Sequence, residues 1–139
     1  MKMLITGGAG FIGSNFIRYI LNNDKNSQIL NLDALKYGSN PENLKDLKEN
    51  DRYSFVKGDI SDYTKVSELI KDVDAIVNFA AETHVDRSIS APEAFLQSNV
   101  HGVFTILEAL RKVNLFDNAV CCLHMNSGLE ETIKWFSKD

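Results

Sequence analysis

The stretch that decides the fold runs from Met3 to Ser14 and reads "MLITGGAGFIGS". Its first four residues are typical of a buried strand, and the residues after the glycines place apolar side chains at helical spacing. The glycines fit two patterns, G-x-G-x-x-G from Gly8 or G-x-x-G-x-x-G from Gly7, and both patterns share Gly10 and Gly13. The stretch is therefore either a nucleotide-binding turn or a purely structural corner between a strand and a helix.

Position and spacing favour the nucleotide-binding interpretation. Early glycines permit a tight turn, Gly10 lets the backbone approach a pyrophosphate, and Gly13 lets the helix pack against the strand. Backbone N–H groups at a helix start attract phosphates. Asp33 lies twenty residues after Gly13, where a carboxylate binds ribose hydroxyls and repels an additional 2′-phosphate. NAD is therefore favoured over NADP, although Lys36 nearby weakens that preference, and a loop cap is the alternative role for Asp33.

The rest of the chain continues the alternation of strands and helices. Further strands are predicted over 28–33, 53–59, 74–81 and 118–124, and helices over 39–50, 61–72, 92–113 and 127–138. The run 74–81 is apolar throughout, as in a parallel strand that is buried on both faces. This alternation predicts right-handed βαβ units. The predicted fold class is α/β, a Rossmann-type doubly wound parallel sheet of about five strands.

Composition limits the classes of partner. A chain of 139 residues with 44% apolar residues suits one globular domain. Its formal charge of −4 argues against nucleic acid or an anionic membrane as a partner, and we expect no signal peptide and no spanning helix. The adjacent Cys121 and Cys122 form no disulfide framework, so a cytoplasmic location is expected. With His124 they fall short of the usual four metal ligands, which favours buried thiols over a metal site.

Four segments carry a family resemblance: "TGGAGFIGSNF", "NLDALKYGSNPENL", "VKGDISD" and "NFAAETHVDRSISAPEAFLQSNVHGVFTILEA". With these in order, the chain resembles the extended short-chain dehydrogenases/reductases, the NAD-dependent epimerase/dehydratase family. Within that family "AAETHVDRS" is most similar to the dTDP-glucose 4,6-dehydratases of deoxysugar and rhamnose synthesis. The resemblance runs from Met1 to about Leu115, which we take as an NAD-binding domain over 1–115.

The resemblance implies an NAD site. Phe11 and Ile12 would present backbone to the pyrophosphate, Asp33 to Lys36 would hold the adenosine ribose, and Asp59 with Ile60 would lie against the adenine. The implied cofactor residues are Gly7, Gly10, Phe11, Ile12, Gly13, Asp33, Ala34, Leu35, Lys36, Asp59, Ile60, Phe79, Ala80, Ala81, Glu82, Thr83 and Ser98. The residues implied to face the nucleotide sugar, dTDP-glucose, are Thr83, His84, Asp86 and Arg87.

Some of these roles have alternatives. Lys36 and Ser98 stand where the family more often has threonine. Asp59 is alternatively a turn cap, and His84 and Arg87 are alternatively part of a solvated loop. His101 falls inside the predicted long helix, where a surface or interface position is expected.

The catalytic residues of the family have no counterpart here. The resemblance implies a Y-x-x-x-K pair on a helix, a threonine or serine, and an Asp-Glu pair. Of the four tyrosines, only Tyr53 has a lysine four residues on, Lys57. "YSFVK" reads as a strand, in which the two residues stand roughly 13 Å apart at about 3.3 Å per residue. No catalytic residue is therefore assigned.

After Leu115 the similarity fades, and it resumes at "GLEETIKWF". We therefore expect an internally deleted dehydratase that lacks the substrate domain. Residues 116–139 would form a short remnant packed on the same domain.

These motifs and the missing catalytic residues leave three alternative functions. The chain is an active sugar-nucleotide dehydratase, a non-catalytic NAD-binding module or subunit that another chain completes, or a different Rossmann protein such as a methyltransferase. "AAETHVDRS" argues against the last, and the missing tyrosine and lysine favour the NAD-binding portion of a dehydratase that is inactive as this polypeptide. The helix 92–113 carries apolar residues on two faces, so we expect self-association through it.

Overall fold

The computed structural model describes residues 1–83, 89 and 92–113. The strands are β1 (Lys2–Thr6), β2 (Gln28–Asp33), β3 (Tyr53–Lys57) and β4 (Ala75–Asn78). The helices are α1 (Phe11–Asn23), a 3₁₀ helix (Pro41–Leu47), α2 (Tyr63–Leu69), a 3₁₀ turn (Ile70–Asp72), α3 (Pro92–Phe95), a π-helix (Leu96–Gly102) and α4 (Val103–Lys112). The strand predicted over 118–124, with its thiols, and the helix predicted over 127–138 lie outside the described residues.

The described strands form one parallel sheet in the order β3-β2-β1-β4. In its register, Leu4 of β1 lies opposite Leu30 of β2 and Ile76 of β4. After β3 the chain returns across the sheet to add β4 beside β1. Ligands of open α/β sheets bind where the strand order reverses, at the carboxyl ends of the strands. That position here is the end of β1 and β4.

Both faces of the sheet are covered, as the doubly wound prediction requires. Successive residues of a strand point to opposite faces, so Met3 and Ile5 pack on one side and Leu4 on the other. The first side holds residues of α1 and the 3₁₀ helix, and the second holds residues of α2 and α4. The α/β doubly wound class is confirmed, with four strands in the described part of the chain.

Two of the predicted helices begin at a residue whose side chain caps them. The Asp62 carboxylate accepts the N–H of Lys65 at 3.1 Å and caps α2. Pro41 is the first residue of its helix, after Asn40, whose side chain accepts the N–H of Glu42 at 3.0 Å. That element is a 3₁₀ helix. The strands predicted over 53–59 and 74–81 end earlier, at Lys57 and Asn78, because the chain leaves the sheet there to border a cleft.

The helix predicted over 92–113 is confirmed as an unbroken helical run from Pro92 to Lys112, and its middle third is π-helical. Gly102 lets this segment pack closely against Ile60, because a Cβ at position 102 would lie 2.5 Å from the Ile60 side chain. Ser98 is buried, while its neighbours Leu96 and Val100 are exposed. Wider turns of this kind occur often at functional sites, and the spacing of apolar residues does not reveal them.

One face of this helical segment is apolar and uncovered. Leu96, Val100, Phe104 and Leu107 are 61%, 61%, 60% and 41% exposed and recur at helical spacing. The opposite face buries Ile106, Ala109 and Leu110 against the sheet. The helix therefore carries apolar residues on two faces, as its sequence predicts. Within residues 1–83, 89 and 92–113, no helix is both long enough and apolar enough to cross a membrane.

Candidate nucleotide-binding site

The glycine turn is held by backbone contacts that exclude side chains at two positions. Gly7 has a φ of +69°, and a Cβ there would lie 2.5 Å from the backbone N of Ala80. A Cβ on Gly13 would lie 2.5 Å from the carbonyl oxygen of Gly7. A Cβ on Gly10 would meet only that same oxygen, at 3.3 Å. The fold itself therefore demands glycine at 7 and 13, whereas the space beside Gly10 opens to the cleft.

The start of α1 is suited to an anion. Gly10 is its N-cap and provides no side chain, and no side chain of the described residues caps the first turn. The first N–H groups of a helix lack intrahelical partners and carry a partial positive charge. Phe11, Ile12 and Gly13 all border the cleft at this point. A phosphate placed there would meet unpaired donors, which is the chemistry that a pyrophosphate needs.

Asn31 supports the turn from β2 and was not predicted from the sequence. Its side-chain oxygen accepts the N–H of Gly8 at 3.1 Å, and its Nδ2 donates to the Tyr53 hydroxyl at 2.9 Å. The residue is fully buried. A polar residue in the middle of the apolar strand "QILNLD" was the available signal, because a buried amide needs partners.

Asp33 is almost fully buried at the end of β2, with 4% of its surface exposed. Its Oδ2 accepts the N–H of Ala9 at 2.9 Å, and its Oδ1 accepts the N–H of Leu35 at 2.8 Å and the hydroxyl of Ser39 at 2.9 Å. The loop-cap role that the sequence left open is thus present. A carboxylate offers about four acceptor sites, so these three donors leave one site for a ligand.

Leu35 is the one implied cofactor residue in the described chain that does not border the cleft. Its φ of 54° is in the left-handed region, which costs an ordinary residue about 1–2 kcal/mol. The hydrogen bond from its N–H to Asp33 holds this conformation. Leu35 therefore shapes the loop that carries Lys36.

Lys36 and Asp59 form an ion pair across the cleft edge, with Nζ 2.6 Å from Oδ2. The other carboxylate oxygen of Asp59 accepts the N–H and the hydroxyl of Ser61, both at 2.9 Å. Burial raises the pKa of Asp59, but the hydrogen bonds from Lys36 and Ser61 outweigh it and leave the pKa below its usual value. Asp59 is therefore ionised at neutral pH. It also caps its turn, which is the alternative role that the sequence left open.

Asn99 of the π-helix fixes the segment that follows β4. Its side-chain oxygen accepts the N–H of Glu82 at 2.8 Å, and its Nδ2 donates to the carbonyl oxygen of Glu82 at 2.9 Å. At the other end of the segment, Phe79 donates its N–H to Thr6 at 2.9 Å. Residues 79–83 therefore form a wall that is held at both ends. Asn99 was not predicted from the sequence, although it is a polar residue between Ser98 and Val100 on a largely apolar helix.

These elements enclose a cleft of about 320 Å³, within the usual range of roughly 300–1,000 Å³ for ligand pockets. The implied cofactor residues that border it are Gly7, Gly10, Phe11, Ile12, Gly13, Asp33, Ala34, Lys36, Asp59, Ile60, Phe79, Ala80, Ala81, Glu82, Thr83 and Ser98. Leu32, Tyr37, Gly38, Ser39 and Gly58 also border it. His84, Asp86 and Arg87 lie outside the described residues.

Tyr53 and Lys57 are the two ends of strand β3, as predicted, and do not form a helical pair. Burial raises the pKa of the Tyr53 phenol, the hydrogen bond from Asn31 lowers it, and the nearby charge of Asp33 raises it, so that the pKa lies above its usual value. The phenol is therefore protonated at neutral pH and engaged within the fold.

A parallel sheet in the order β3-β2-β1-β4, with a glycine turn after β1 and a carboxylate at the end of β2, defines a Rossmann-type nucleotide-binding domain. The sequence model of the family described as GDP-mannose 4,6 dehydratase matches residues 4–127. The chain belongs to this family.

Similar proteins are dTDP-glucose 4,6-dehydratases and related enzymes. The dTDP-glucose 4,6-dehydratase of Mycolicibacterium smegmatis is 50% identical over 115 residues, which are 83% of this chain and 34% of that protein. A low-salt glycan biosynthesis protein of Haloferax volcanii is 51% identical over 109 residues, 78% of this chain and 35% of its own length. The chain thus spans about a third of the length of these curated relatives.

Solved structures of dTDP-glucose 4,6-dehydratases are similar to this chain over part of their own length. The Streptomyces venezuelae dTDP-glucose 4,6-dehydratase DesIV, crystallised with NAD, superposes with a TM-score of 0.78 at 42% identity, over 82% of this chain and 37% of that chain. The Bacillus anthracis dTDP-glucose 4,6-dehydratase in complex with NAD has a TM-score of 0.73 at 37% identity, over 91% and 41% of the two chains.

Proposed function

We propose that this chain binds NAD and is the NAD-binding portion of a dTDP-glucose 4,6-dehydratase. The observation that carries the proposal is the convergence of the uncapped start of α1, the Asp33 carboxylate and the 79–83 wall on one cleft. A glycine turn that leaves room beside Gly10 supports it. The proposed NAD-binding domain comprises 1–115, with 116–139 as a remnant packed on it.

Each element has a distinct role toward NAD. The N–H groups of Phe11 and Ile12 bind the pyrophosphate, and the unused acceptor site of Asp33 takes a ribose hydroxyl. Asp59 and Ile60 lie against the adenine. When bound, NAD supplies an acceptor for hydride at its nicotinamide end, which the 79–83 wall and Ser98 border.

The proposed partner beyond the cofactor is a nucleotide sugar, dTDP-glucose, approached from the side of Thr83, His84, Asp86 and Arg87. The proposed location is the cytoplasm, which the adjacent cysteines support. A subunit that another chain completes is the alternative.

Asp33→Ala is expected to weaken NAD binding roughly 10- to 150-fold, because a charge-assisted hydrogen bond contributes about 1.5–3 kcal/mol. NADP loses less than NAD or gains, since repulsion of its 2′-phosphate also disappears. Titration of each nucleotide against both proteins by calorimetry measures the two changes. Ser39→Ala is the matched control, because it removes one donor to the same carboxylate without changing its charge.

Equal losses for NAD and NADP in Asp33→Ala would place the carboxylate away from the ribose. A similar loss of NAD binding in Ser39→Ala would assign the effect to the loop rather than to the charge. Failure of the unchanged chain to bind NAD would contradict the proposed function.

We further propose self-association through the exposed face formed by Leu96, Val100, Phe104 and Leu107. An apolar patch of this kind gains free energy when it leaves water. Light scattering over a dilution series is expected to show an oligomer that Phe104→Glu dissociates. Phe55→Glu, at an exposed phenylalanine of the edge strand β3, is the control that leaves association intact. A monomer at all concentrations, with no binding of an apolar-surface dye, would contradict this prediction.

A further inference from the structure

The proposed adenosine end of the cleft is bordered by charges of both signs. Lys36 is the only cationic side chain among the described residues that border the cleft, where Asp33 and Asp59 are also found. Its ammonium is 2.6 Å from the Asp59 carboxylate, and the two side chains are 47% and 28% exposed. The cation that borders this edge of the cleft in the described part of the chain is therefore engaged by a carboxylate.

Hydrogen bonds fix both members of the ion pair, Lys36 and Asp59. A turn in which Ser39 donates its N–H to the Lys36 carbonyl at 3.1 Å, with Gly38 at a φ of +87°, fixes the backbone of the lysine. Ser61 fixes the carboxylate through two hydrogen bonds to Oδ1, so that Oδ2 faces Lys36. With Lys36 neutralised by Asp59, the charge of Asp33 is left unopposed at the ribose position.

We propose that the Lys36–Asp59 ion pair is a cofactor-selectivity element that keeps Lys36 from binding a 2′-phosphate and so preserves the preference for NAD. This inference rests on the proposed NAD site. Asp59 acts here through Lys36 and is a positioning residue for that side chain. A lysine three residues after the ribose carboxylate favours NADP by its charge alone, and the ion pair removes that effect.

The test is a double-mutant cycle on nucleotide binding. Asp59→Asn keeps an oxygen for Ser61 but removes the charge that holds Lys36. The ratio of the NADP to the NAD dissociation constant is expected to fall about tenfold to a hundredfold, as a freed ammonium gains a charge-assisted hydrogen bond to phosphate. In Asp59→Asn/Lys36→Met the ratio returns to or above its original value, because the cation is gone. Lys36→Met alone raises the ratio, since two carboxylates then oppose the phosphate.

Salt concentration gives a second readout, because the Lys36 side chain is about half exposed and its charge is therefore screened by salt. The shift in Asp59→Asn is expected to shrink between about 0.1 M and about 1 M salt, as the Debye length falls from about 10 Å to about 3 Å. Circular dichroism of each variant verifies folding.

The possible failures are distinguishable. Absence of binding of both nucleotides to the unchanged chain would overturn the proposed function together with this inference. NAD binding by the unchanged chain, with an unchanged ratio in Asp59→Asn, would overturn the inference alone. A shift that persists in the double variant would also overturn it, because the freed lysine would not be the cause.

Discussion

Gly7→Ala is expected to abolish NAD binding and to lower the free energy of unfolding by about 2–5 kcal/mol. A left-handed backbone costs a residue with a Cβ about 1–2 kcal/mol, and forcing an atom into a packed site adds about 1–3 kcal/mol. The clash at Gly7 is with the backbone of Ala80, at 2.5 Å, which no rotamer change relieves. Urea unfolding followed by circular dichroism measures the stability, and calorimetry measures NAD binding.

Gly38→Ala is the matched control for stability. Gly38 also has a positive φ, of +87°, but a Cβ there would meet nothing within 4 Å. The control variant should therefore show only the backbone cost of about 1–2 kcal/mol. Equal destabilisation of the two variants would contradict the view that close packing of Gly7 against the 79–83 wall positions the turn.

The largest expected effect concerns catalysis. The 139-residue polypeptide is expected to bind NAD without converting dTDP-glucose to its 4-keto product. The only Y-x-x-x-K pair in the printed sequence is Tyr53 with Lys57, and these residues stand at the two ends of a strand. The raised pKa of Tyr53 keeps its phenol protonated. Loss of a general base alone lowers the reaction rate roughly 10²–10⁴-fold.

The assay supplies dTDP-glucose and NAD and follows the 4-keto product over time. The full-length Mycolicibacterium smegmatis relative, a dTDP-glucose 4,6-dehydratase, is the positive control for the reagents. Turnover by this chain at the usual enzymatic rate of about 1–10³ per second would contradict the prediction. NAD binding without turnover, by contrast, would agree with the proposal that this chain is the NAD-binding portion of a dehydratase.

Local pattern was enough to predict most of the fold and the position of the cleft. Strand β1, the glycine turn and α1 follow from residues that are neighbours in sequence, because the turn needs glycine and the helix needs apolar spacing. Asp33 was predicted as a ribose ligand from its distance to Gly13, and the structure places it at the end of β2, where it borders the cleft. The sequence also argued against a catalytic Tyr53–Lys57 pair, since "YSFVK" reads as a strand that holds the two residues apart, and the structure confirms that strand.

Only the tertiary structure decided which side chains hold these parts in place. Asn31 contacts Gly8 across 23 positions, and Asn99 contacts Glu82 across 17. Lys36 meets Asp59 only because β2 and β3 pair in parallel and bring the loops after them to the same edge. The π-helical segment likewise contacts distant residues, through Asn99 on the 79–83 wall and Gly102 beside Ile60. Propensity and period describe near neighbours along the chain, whereas a hydrogen bond or an ion pair depends on which distant segments the fold brings together.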